Sequence, residues 1–70
     1  MQEQIIVNVL GAGKTVRETH TVRRRPNMLM GDVRRICNAP ASLKGFIDGR
    51  CVYDNDPVPR GTTIVEMRIP

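Results

Sequence analysis

Aromatic side chains are nearly missing from this sequence of 70 residues, which holds one Phe, one Tyr and no Trp. Single-stranded nucleic acid is bound largely by stacking bases on aromatic rings, and such a platform is poorly served here. Cysteine is also scarce. Cys37 and Cys51 allow one disulfide at most, which excludes the dense framework of a small secreted scaffold. Both sit among apolar neighbours, so they read as buried free thiols in a reducing, cytoplasmic compartment. No apolar run approaches the ~18 residues that span a bilayer. Met1-Gln2-Glu3-Gln4 has no basic region leading into an apolar stretch, so neither a membrane partner nor a secretory signal is expected. His20 is the only histidine, and no Cys-x-x-Cys pair is present. No metal and no other cofactor is therefore expected.

What remains has the composition of one globular domain. The apolar fraction is 40% and the charged fraction 26%, close to ordinary globular values. A chain of this length buries only ~60% of its unfolded surface, which leaves little room for a deep cleft. The formal charge is +4, and nine of the eleven basic residues are arginine. That balance favours an anionic partner without identifying one.

Gln4 to Leu10 is rich in β-branched residues and reads as a strand, with Ile5, Val7 and Val9 on its inward face. Gly11-Ala12-Gly13-Lys14 reads as a hairpin turn. Val16 to Arg23 then returns as a partly exposed edge strand carrying charges that discourage edge pairing. Pro26 breaks it, and Asn27 is the expected helix N-cap. A short helix is predicted over about Met30 to Asn38, with Met30, Val33, Ile36 and Cys37 on its buried face. Leu43 to Ile47 is the third strand. Asp48-Gly49 marks a two-residue type I′ turn into Cys51-Val52. Asp54-Asn55-Asp56-Pro57 is a loop. Thr62 to Ile69 is the last strand, with Thr63, Val65, Met67 and Ile69 on one face. The simplest burial is an α+β arrangement: one mixed sheet of four or five strands, the short helix across one face, and the last strand paired beside the first.

That order is the order of the β-grasp, or ubiquitin-like, superfamily. The segment FIDGRCVYDNDPVPRGTTIVEM from Phe46 onward resembles the C-terminal half of small sulfur-carrier and TGS-type β-grasp domains. Asp48-Gly49, Val52, Pro57-Val58, Gly61 and Ile64 fall at the family's spacings. Leu29-Met30-Gly31-Asp32-Val33-Arg34-Arg35 resembles the start of its helix. The resemblance covers about the last forty residues and implies a single β-grasp domain. Position 55 is Asn where the family usually has Asp, a turn residue in either case. Sulfur carriers and ubiquitin act through a C-terminal Gly-Gly tail. This sequence ends Met67-Arg68-Ile69-Pro70, so carrier chemistry is not expected of it as it stands. A sulfur-carrier-like protein with a trimmed C-terminus is the third-ranked reading.

Other constellations weaken on inspection. Gly11-Ala12-Gly13-Lys14-Thr15 suggests a phosphate loop, but Asn8 stands where the pattern needs glycine, and a strand follows where a helix is required. Glu18 and His20 share a strand face and read as a solvated pair. Cys37 with His20 offers a nucleophile and base only if the fold joins them, and Cys37 is on the apolar helix face. Asp48, Asp54 and Asp56 sit beside turn residues and read as turn formers. One feature asks for a partner: Arg23-Arg24-Arg25, with Arg34 and Arg35 a short distance on. Guanidinium forks bind carboxylate and phosphate bidentately. The expectation is a non-catalytic protein-interaction module that meets an acidic protein surface through Arg23, Arg24, Arg25, Arg34 and Arg35, with the outer sheet face as a second surface. A nucleic-acid-binding accessory domain is the alternative.

Overall fold

The computed structural model describes residues 4–11, 13 and 15–70. Strands β1 (Gln4–Leu10) and β2 (Val16–Arg23) come first, then helix α1 (Met30–Cys37). Strands β3 (Lys44–Ile47), β4 (Arg50–Val52) and β5 (Ile64–Arg68) follow. All five strands form one mixed sheet in the order β2-β1-β5-β3-β4. The sheet is antiparallel except where β5 runs parallel to β1, with Val7 beside Val65 and Val9 beside Met67. The expected α+β class, the mixed sheet and the pairing of last strand with first are all present.

Period-two alternation decides which face is covered. Ile5, Val7, Val22, Val65 and Met67 project to one side and are buried, as is Val9. Helix α1 lies over them and contributes Met30, Val33 and Cys37 to the same cluster. At β3 the helix comes closer still. A Cβ built on Gly45 would stand 2.6 Å from the Met30 sulfur. The opposite sheet face is more polar, with an exposed apolar pair formed by Ile6 and its register partner Ile64. On that face the Arg68 guanidinium lies 3.9 Å from the centre of the Phe46 ring, and Phe46 is buried.

Local signals explain most boundaries. Asp48 (φ 51°) and Gly49 (φ 80°) both take positive φ, as a type I′ turn requires. Asn38 (φ 54°) ends α1 in the left-handed region, and the Asn38 and Ala39 amides donate to the Arg35 and Arg34 carbonyls. Of the glycine-rich hairpin turn expected after β1, Ala12 and Lys14 lie outside the described residues, as do Met1, Gln2 and Glu3. The Gly11 amide donates to the Thr15 carbonyl at 2.8 Å.

Four expectations need correction. The N-cap is Leu29, not Asn27, which sits in the preceding turn with φ 58°. Met28 and Leu29 are held extended against Pro57 and Val58, so the helix starts only at Met30. Ile36 does not face the core and is 47% exposed. At 100° per residue it lies about 120° from the Met30 direction, while Arg34 lies within about 40° of it. Leu10 is buried although it alternates with the inward set, because the register shifts between Val9 and Leu10. Ile69, expected on one face with Val65 and Met67, lies just past the end of β5 and is exposed.

The Gly45 contact gives a stability test. Met30 is fully buried, and the added Cβ would press on its Cγ and Cε as well as its sulfur. Gly45→Ala should therefore destabilise the fold by about 1–3 kcal/mol, the usual cost of overpacking a core. A urea unfolding midpoint equal to wild type would show that the helix does not press on β3 as described.

Candidate functional site

The five arginines singled out in the sequence occupy three different environments. Arg23 ends β2 beside Gln4 of β1 and is exposed. Arg24 is half-buried and donates a hydrogen bond to the Pro59 carbonyl, joining the end of β2 to the turn before β5. Arg25 is exposed, with no ion pair among the described residues. Chain direction changes at Pro26, so the run leaves the sheet edge and turns toward the start of α1.

Arg34 departs from the expected role. It is 8% exposed and points inward. Its Nε and one terminal nitrogen grip the Asp54 carboxylate at 2.9–3.1 Å, and its other terminal nitrogen donates to the Pro40 carbonyl at 2.6 Å. A buried guanidinium must have its donors satisfied, and here both ends of the fork are occupied. Arg34 therefore anchors loop 53–58 to the helix and does not present a free guanidinium to a partner. Backbone bonds reinforce the same junction. The Met30 amide donates to the Asp56 carbonyl and the Gly31 amide to the Asp54 carbonyl. Gly31 fits because a Cβ there would meet that Asp54 carbonyl oxygen at 3.1 Å.

Arg35, one residue on, points the other way. Its side chain is 78% exposed and pairs with Asp32 at 2.9 Å. The other Asp32 oxygen accepts the Leu29 amide at 3.0 Å and caps the helix. Arg25, Pro26, Met28, Asp32, Arg35 and Ile36 together line a shallow groove of about 290 Å³. Two of the five arginines thus meet across one concavity. The groove's apolar wall was not anticipated, because Ile36 was assigned to the core; exact helical phase was the signal that would have placed it outside.

The histidine, thiols and turn acids singled out in the sequence are not assembled into a reactive site. His20 Nε2 lies 3.2 Å from Glu18; both stand on the edge strand opposite Val7 and Val9. Cys37 is a free, buried thiol; burial pushes its pKa up, and the Glu18 carboxylate adds to the rise. That is the reverse of nucleophile activation. Cys51 is free and half-buried. Asp48 forms the β3–β4 turn, Asp54 holds Arg34, and the Asp56 carboxylate accepts the Tyr53 amide at 3.2 Å. Among the described residues no cluster of three His, Cys, Asp or Glu is placed to hold a metal ion. No described helix is long and apolar enough to cross a membrane. No protein-family model, curated protein or solved structure matches the chain.

The Arg34 anchor makes a pH prediction. The hydrogen bond from Arg34 is the largest influence on Asp54 and holds its carboxyl below the usual carboxylate range. A lowered folded-state pKa means the stabilisation is complete above the unfolded value of ~4 and is lost as pH falls through the folded value. Asp54→Asn should be less stable than wild type at neutral pH, by a modest amount because the Asp54 side chain is half exposed. The difference should close in acid. Urea titrations showing a gap independent of pH would contradict the anchor.

Proposed function

We propose that this chain is a β-grasp domain acting as a non-catalytic protein-interaction module, and that its partner offers an acidic surface. The observation that carries this reading is the convergence of Arg25 and Arg35 on one groove; Arg23 is exposed at the end of β2, on the sheet face opposite Val22. The strand order β2-β1-β5-β3-β4, with β1 and β5 parallel, supports the β-grasp assignment. The net charge of +4 supports steering of an anionic partner.

Mechanistically, the exposed guanidiniums raise the rate of encounter, and apolar contacts then slow dissociation. Arg23, Arg25 and Arg35 make direct contact in this reading. Arg24 keeps the end of β2 in place, and Arg34 holds the helix start against loop 53–58. A non-catalytic role is supported by the positions of the groups that might do chemistry. The buried thiol is raised in pKa, and the carboxylates are tied into turns, a helix cap and an ion pair. Two free thiols, one of them buried, fit a reducing cytoplasmic setting.

The test is binding to poly-glutamate and to duplex DNA, measured from about 50 to 200 mM salt. Replacing Arg23, Arg25 and Arg35 together with alanine should weaken poly-glutamate binding by about tenfold, since exposed charge pairs contribute ~0.2–1 kcal/mol each. The fold should stay intact, because all three are exposed. Unchanged affinity would refute the arginine edge. Tighter, steeply salt-dependent binding to the duplex would favour a nucleic-acid-binding role instead.

A further inference from the structure

We infer that the groove between residues 25–28 and the outward flank of α1 takes one bulky aliphatic side chain of an extended acidic segment, with the segment's carboxylates on Arg25 and Arg35. This deepens the proposed function and rests on it. At about 290 Å³ the groove falls at the small end of ligand sites. A groove of that size suits one or two side chains.

The lining is built for a mixed occupant. Pro26 and Ile36 present apolar surface, and Met28 beneath them is 3% exposed. Ile36 lies on the otherwise polar flank of α1, about half in water. Covering it returns hydrophobic free energy that the isolated domain forgoes. The rim is charged. Arg25 has no ion pair among the described residues. Arg35 is steadied by Asp32 through one terminal nitrogen. A guanidinium carries five donors, so Arg35 still offers a fork to an incoming carboxylate. Both Asp32 oxygens are already occupied, one by Arg35 and one by the Leu29 amide. The acidic residue in the lining therefore opposes an anionic ligand less than a free carboxylate would. A phosphate backbone would use the rim but leave Ile36 uncovered, and the groove has no aromatic ring for a base to stack on. An acidic segment with an aliphatic side chain uses both.

The probe is a fluorescein-labelled peptide with a central leucine among glutamates, compared with the same peptide carrying serine at the centre. Fluorescence anisotropy on the whole chain should show the leucine peptide binding about tenfold more tightly, the value of burying one such side chain. Ile36→Ser should abolish that preference and keep the weaker binding. Arg25→Ala should weaken both peptides by the same factor. Both positions are exposed, so the variants fold. Equal wild-type affinity for the two peptides, still lowered by Arg25→Ala, would overturn the groove and leave the arginine edge standing. A leucine preference that survives Ile36→Ser would overturn the location. No binding of either peptide at low salt would refute the groove and the proposed function together.

Discussion

Strand β5 lies between β1 and β3, and the rest of the structure depends on its holding that place. The N-terminal hairpin and the C-terminal hairpin share no sheet contact without it. Its two inward residues, Val65 and Met67, are fully buried, and so are Ile5 and Val7 on the strand beside them. The β1–β5 pairing closes almost the whole chain into a loop, an entropic cost that grows only slowly with length but arrives before any core is formed. A domain of this size has little stability to spare, so a defect in this central pairing should be felt in both halves.

Once the sheet is closed, the helix has one face to cover, and its sequence must supply enough apolar surface to do so. It supplies Met30, Val33 and Cys37, and then a charged residue, Arg34, at the fourth inward position. A buried charge is tolerated only with partners. Asp54 and the Pro40 carbonyl provide them, and so the loop after β4 and the turn after α1 are drawn onto the helix. The adjacent Arg35 and Ile36 are left outside. One short helix thus divides its residues between holding the fold and shaping a surface. The groove is a consequence of that division: the same turn that starts α1 late, against Pro57 and Val58, brings Arg25 and Pro26 up beside the exposed flank.

Much of this architecture was legible in the sequence, because period-two alternation and turn chemistry are local signals. Asp48-Gly49 placed the second hairpin, and the β-branched runs placed β1 and β5. Helical phase was read too loosely. Counting Ile36 as apolar put it in the core, although its angle on the helix put it outside and Arg34 inside. The N-cap was misplaced for a different reason. Asn27 has cap chemistry, but the extended pairing of residues 28–29 with 57–58 is a tertiary contact that no local pattern announces. The candidate site was legible as charge and illegible as geometry. A run of basic residues does not reveal which guanidiniums are consumed by carbonyls and carboxylates of the same chain, and Arg24 and Arg34 are so engaged.

The central claim is that Arg25, Arg35 and the groove beside α1 form one binding footprint, distinct from the buried Arg34 anchor and from the outer sheet face. Amide chemical shifts of the labelled protein, followed while an acidic leucine-containing peptide is added, test it most directly. The account predicts changes gathered at residues 23–28 and at Asp32, Arg35 and Ile36, with Ile6, Ile64 and Glu66 unmoved. Changes centred on Ile6 and Ile64, or spread evenly over the basic surface, would contradict it.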